Sequence, residues 1–100
     1  METDQLKDVV ERKHGGSAQF ARSVPVRETF EGKAVWEGVV HVFDLSGHPK
    51  ATRAYAWSSP IEGSAKRRFF AVLHVGPIKS PLDAVRASIV AERRAMKPMD

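Results

Sequence analysis

Apolar and polar residues alternate most regularly between Val35 and Trp57, in VWEGVVHVFDLSGHPKATRAYAW. That pattern predicts two long strands joined at Ser46-Gly47-His48-Pro49, where Gly and Pro supply the backbone chemistry of a reversal. Pairing Leu45 with Lys50 across a four-residue connection sets the register. One face then carries Val35, Glu37, Val39, His41, Phe43 and Leu45, opposite Thr52, Ala54 and Ala56. The other carries Trp36, Val40 and Val42, opposite Arg53, Tyr55 and Trp57. Gly38 falls across from Trp57, small facing large. A slip of one residue would invert both faces.

The pattern before this hairpin changes period. Leu6, Val9 and Val10 repeat at helical spacing, which predicts a helix over 3–14, capped by Thr3 or Asp4 and stopped at Gly15-Gly16. A stripe this narrow must dock on something to persist. Residues 19–30 read as a first strand, with Phe20, Val24, Val26 and Phe30 on one parity. Pro25 cannot donate to a ladder, so this strand is an edge or is broken at its middle. Glu31-Gly32-Lys33 turns the chain into the central hairpin.

Beyond the hairpin, SSPIEGSAK (58–66) reads as a loop and RRFFAVLHV as a last strand covered on both faces. Gly76-Pro77 stops it. Ser80-Pro81-Leu82-Asp83 then opens a helix, with an N-cap serine, proline at the first helical position and an acid in the first turn. It runs to about Met96, ahead of Pro98. Leu82, Val85, Ile89 and Met96 share one side, and Ala84, Ala87, Ala91 and Ala95 form a second stripe. The alanine side is expected against the first helix, a partner subunit or solvent. The order α-β-β-β-β-α predicts an α+β fold with an antiparallel sheet of three or four strands and a helix at each end, in one compact domain over 1–100. The last few residues are expected to fray.

Composition narrows the function classes. The 100 residues contain no cysteine, which excludes disulfides, thiolate metal sites and thiol catalysis. The charged N-terminus has no signal-like apolar run, and no segment approaches the ~20 apolar residues that span a bilayer. A cytoplasmic protein without membrane association is expected. The net charge of +4 is a modest basic excess, compatible with contact to nucleic acid or another acidic partner and shared by many small domains that bind no nucleic acid.

No catalytic signature stands out. Asp44, Ser46 and His48 crowd one hairpin tip, where turn geometry accounts for them without a buried base or an oxyanion hole. His14, His41, His48 and His74 form no metal-binding spacing, although His41 and His74 can meet across the sheet. Glu28, Glu31, Glu37 and Glu62 are scattered among basic neighbours, and Glu37 is expected in an ion pair. Gly15-Gly16 follows a helix, the wrong order for a phosphate cradle. No cofactor, metal or catalytic residue is therefore assigned.

One constellation carries chemistry. Trp36, Arg53, Tyr55, Trp57, Lys66, Arg67 and Arg68 place aromatic rings among cations on the strands. Single-stranded nucleic acid is commonly held that way, by base stacking and phosphate neutralisation. The expectation is a non-enzymatic binding module that contacts nucleic acid through an open sheet face. The alternative is a homodimer or a protein-partner domain, which would use that face or the alanine stripe.

Two resemblances bear on this reading. The helix–strands–helix order resembles double-stranded RNA-binding domains, whose last helix starts rich in lysine. Here that start is Ser80-Pro81-Leu82-Asp83, so their function is not carried over. The segment VWEGVVHVFDLSGHPKATRAYAW, with the AVLHV strand and the SPLDAVRASIVAE helix, is similar to a family of small uncharacterised bacterial proteins. That resemblance implies a compact standalone domain and assigns no site.

Overall fold

A computed structural model describes residues 2–61 and 63–96. Glu62 and the expected frayed end, 97–100, lie outside the described residues, as do the side chains of 92–96, Ala95 and Met96 among them. The elements are α1 (Glu2–His14), β1 (Ser17–Phe30), β2 (Lys33–Ser46), β3 (Arg53–Pro60), β4 (Arg67–Leu73) and α2 (Pro81–Met96). The four strands form one antiparallel sheet in the order β1-β2-β3-β4. This is the expected α+β arrangement.

Each helix covers one face. Leu6 and Val10 of α1 are fully buried against Phe43, Leu45, Ala54, Ala56 and Ala71. Burying each of them contributes about 1.5–3 kcal/mol. Two polar ties fix the end of α1: Glu11 Oε2 accepts the Ala18 N–H at 2.8 Å, and His14 Nε2 lies 2.9 Å from the Ala71 carbonyl oxygen. On the opposite face Ala84 and Val85 of α2 are buried with Val40, Val42, Tyr55 and Trp57, and Leu82 and Ile89 pack beside them. Ser80 Oγ caps α2 by accepting the Asp83 N–H at 3.1 Å, while Asp83 accepts the Lys79 N–H.

The alanine stripe does not form a second buried side. Ala84 joins the same core as Val85, Ala87 is half-buried and Ala91 is exposed. The long β1–β2 hairpin closes through Glu31 (φ 53°) and Gly32 (φ 79°), a two-residue turn with both central residues left-handed. Pro25 sits on β1, which is an edge strand, where its missing N–H leaves no gap in a second ladder.

Three details depart from the sequence reading. The β2–β3 ladder pairs Phe43 with Ala54 and Asp44 with Arg53, and Leu45 N–H donates to Thr52 O. The register is thus two residues from the expected one, which preserves the faces. The longer connection is organised by His48, whose Nδ1 accepts the N–H groups of Lys50 and Ala51. A bulge between Phe20 and Arg22 also flips parity within β1. Phe20 therefore lies on the α1 face beside Phe43, whereas Val24 and Val26 pack under α2. β4, finally, is covered on both faces only along its second half. Ala71 enters the α1-side core, Phe70 and Val72 pack on the α2 side, and Phe69 is exposed.

Candidate binding site at the sheet fork

The face expected to be open is closed. Tyr55 and Trp57 are 1% and 0% exposed beneath α2, so neither offers a ring to a stacking base. Trp57 stacks on Phe70 with centroids 5.2 Å apart, and Trp36 meets it edge to face at 6.0 Å. The Tyr55 hydroxyl is 2.6 Å from His74 Nδ1. These rings are core because α2 presents a full apolar side, Leu82, Val85 and Ile89, to them. Exposed apolar side chains on the other face, beyond the reach of the shorter α1, include Phe20 and Val39, and beside α2 Phe30, Val35 and Val90 are exposed around a cavity of about 360 Å³.

The cations do not make one patch either. Arg53 sits at the start of β3, seven residues from Pro60, or roughly 23 Å at ~3.3 Å per residue. Arg67 and Arg68 are adjacent in β4 and project to opposite faces, paired with Pro60 and Ser59. On the α1 face Arg67 Nε donates to Ser58 Oγ at 2.8 Å and its Nη2 to the Ser58 carbonyl at 3.2 Å, while the Ser58 hydroxyl donates to Glu2. On the α2 face the Arg68 guanidinium lies 4.9 Å from the Phe70 ring centroid. Lys66 is exposed just ahead of them.

What the strands do build is a fork. β2 and β3 pair over only four positions, ending at His41 and Ala56. Beyond that point β2 stays with β1, and β3 stays with β4 through Pro60 and Arg67. Continuing the ladder would bring Trp57 opposite Val40 and Pro60 opposite Glu37. Three features oppose it. Pro60 has no N–H to donate, the Trp36 and Trp57 rings both need room on the α2 side, and Trp57 is held on Phe70. Gly38 accommodates the Trp36 ring, since a Cβ there would lie 2.9 Å from Trp36 Cη2. The backbone edges of 35–40 and 57–60 consequently face a gap with no ladder between them.

The gap opens to both faces. On the α1 face it is a cleft of about 290 Å³ bordered by Glu2, Glu37, His41, Ser58 and Arg67. On the α2 face it is a recess of about 230 Å³ bordered by Trp57, Arg68, Phe70, Ser88 and Ile89. Trp36, Ser59 and Pro60 line both. Trp57 Nε1 is buried without a hydrogen-bond partner among the described residues.

Other candidate chemistry resolves into structure. His41 and His74 lie on opposite faces and do not meet; His41 is 2.8 Å from Ser23 Oγ and 3.9 Å from Glu2. Ser23 and His41 are direct cross-strand partners on an exposed surface, and Ser23 is on the β1 side, away from the cleft, so the trio holds no substrate in a closed site. Among the described residues no group of three His, Asp or Glu is placed to hold a metal. Glu37 pairs with Arg27 at 3.5 Å, as expected. Glu28 binds Arg86, and that hydrogen bond holds the Glu28 carboxyl below its ordinary range.

Sequence reasoning missed the fork because Ser58-Ser59-Pro60 read as loop, whereas these residues complete β3. The signal that could have found it is the pair of tryptophans with Pro60: two bulky side chains on one face and a strand end without a donor. Among the described residues, no helix is long and apolar enough to cross a membrane. No protein-family model, curated protein or solved structure matches the chain.

Proposed function

We propose that the chain is a non-enzymatic binding module that engages a protein partner at the fork between β2 and β3. The observation that carries this reading is the four-pair ladder, which leaves two strand edges facing a cleft with half-buried Trp36 at its centre. Strand edges of this kind bind extended chains through main-chain hydrogen bonds. A nucleic-acid reading is weakened by the burial of Tyr55 and Trp57 and by the separation of Arg53 from Arg67 and Arg68. It retains one supporting observation, the run of exposed cations Lys66-Arg67-Arg68.

Amide hydrogen exchange tests the two readings together. A mixed-sequence peptide pool should slow exchange within 35–40 and 57–60 and leave 66–68 unchanged. Protection at 66–68 by a single-stranded oligonucleotide, steeply weakened by salt and without any peptide effect, would replace the proposal with the nucleic-acid reading.

A further inference from the structure

We infer that His48 is a proton-sensitive latch on the β2–β3 connection, residues 47–52. The neutral ring holds the connection closed, and a proton on Nδ1 releases it. This device lies at the opposite end of the β2–β3 ladder from the fork and acts whether or not a ligand binds there.

The chemistry is a competition for one lone pair. Nδ1 of His48 is 3.0 Å from the backbone nitrogens of both Lys50 and Ala51, which donate to it. Only an unprotonated Nδ1 can accept, so the neutral ring carries its proton on Nε2. Pro49 has no N–H, which makes these the first two donors after His48 in the chain. Once protonated, Nδ1 is itself a donor facing two others, and both hydrogen bonds are lost. Histidine is the side chain whose charge changes in the physiological pH range. His14 is the contrasting case, because its Nε2 donates to the Ala71 carbonyl and that bond survives protonation.

The latch secures more than a turn. Ala51 is 5% exposed and belongs to the α1-side core. The connection also lies against the entry to β1, where a Cβ on Gly16 would stand 2.9 Å from the Ser46 carbonyl oxygen and 3.4 Å from His48 Cβ. Release frees two amides, removes the restraint on Ala51 and uncovers Gly16. It reaches the Leu45 N–H to Thr52 carbonyl bond and stops at Phe43 and Ala54, which are fully buried. The ionisable groups on the adjoining elements are Glu11, Arg12, Lys13 and His14 of α1, Asp44 of β2, Lys50 of the connection and Arg53 of β3. Glu11 is bound to Ala18 and Lys7, His14 to Ala71, and Asp44 stands across the ladder from Arg53. Among the described residues no side chain pairs with His48, so no carboxylate holds the charged ring in place.

The test is NMR on the full chain at about pH 7.5 and about pH 5, a range that brackets the titration of an ordinary imidazole. Ring ¹⁵N resonances report the protonation of His48, and amide exchange, corrected for intrinsic rates, gives protection factors. At the higher pH, Nδ1 should be the unprotonated nitrogen and the Lys50 and Ala51 amides should be protected. At the lower pH their protection should fall at least tenfold, in step with the ring titration, while the Phe43 and Tyr55 amides keep theirs. Asparagine carries Oδ1 where histidine carries Nδ1, so His48→Asn should keep both amides protected at both pH values. Glutamine places its amide one carbon farther out, and His48→Gln should leave both amides unprotected throughout. An equal fall in the wild type and in His48→Asn would overturn the inference. So would a ring that stays neutral across the range, or protection that does not change while the ring titrates.

Discussion

Replacing Gly38 with alanine probes the packing that shapes the fork. Gly38 is not among the glycines with positive φ, so alanine adopts its backbone conformation without strain. In a strand, alanine is favoured over glycine by roughly 0.5–1 kcal/mol, largely because the unfolded chain loses less entropy. Against this, the new methyl group would stand 2.9 Å from Trp36 Cη2 and 3.2 Å from Cζ2. The indole cannot retreat freely, because its edge meets Trp57, which is itself fixed on Phe70. Overpacking of that kind costs about 1–3 kcal/mol. The net expectation is destabilisation by about 1 kcal/mol, or a urea midpoint lowered by about 0.5–1 M for a chain of this size. In a Trp36→Ala background the obstruction is gone, and Gly38→Ala should stabilise relative to its parent by about 0.5 kcal/mol. Circular-dichroism urea titrations of the four proteins close the cycle, with a coupling of about 1–2 kcal/mol expected. If Gly38→Ala has the same sign and size in both backgrounds, Trp36 does not occupy the space above Gly38, and the account of why the strands part is wrong.

Other predictions concern separate parts of the molecule. Trp57→Ala removes a fully buried ring from the α2-side core and should cost about 3–5 kcal/mol in urea unfolding; a loss below 1 kcal/mol would mean that the ring is not core. Ser80→Ala should lose about 1 kcal/mol through the missing cap at α2, whereas Ser80→Asp should retain most of it. Glu31→Asn places a residue that tolerates positive φ in the hairpin turn and should raise stability by about 0.5–1 kcal/mol; a loss would show that the turn is not left-handed. Glu11 accepts the Ala18 N–H and pairs with Lys7, which holds its carboxyl below the ordinary value of 4.5. The unfolded chain therefore takes up that proton first. The resulting stabilisation is fully present above about pH 4.5 and is lost as pH falls through the lower folded value. Glu11→Gln should flatten the acid limb of stability measured by urea midpoint between pH 6 and pH 3, and an unchanged slope would refute the assignment.

Much of this fold was legible in local pattern because its causes are local. Alternation between Val35 and Trp57, the Ser80-Pro81 start of α2, and the glycines after His14 and Glu31 each depend on a few neighbouring residues, and all appear where they were expected. The face assignment of the central hairpin survived an error of two residues in register, because side chains in strands repeat with period two. Phe20 did not survive so well. One bulged residue, Ala21, moved it to the opposite face from Val24, and bulges leave little trace in a hydrophobic pattern.

The site depended on longer-range facts. The same alternation that placed Trp36, Tyr55 and Trp57 on one face was silent on whether a helix covers it. That was decided by α2 returning from nearly thirty residues downstream to lay Leu82, Val85 and Ile89 on those rings. Arg67 and Arg68 were legible as neighbours, yet their separation onto two faces of the sheet is a property of β4 as a strand. The parting of β2 from β3 arises only when Trp36, Trp57, Phe70 and Pro60, drawn from three strands, compete for one volume. Residue order along the chain determines the strands, their faces and their caps through short-range chemistry. Which face is buried, and where two strands separate, is determined by packing between residues that only the folded chain brings together.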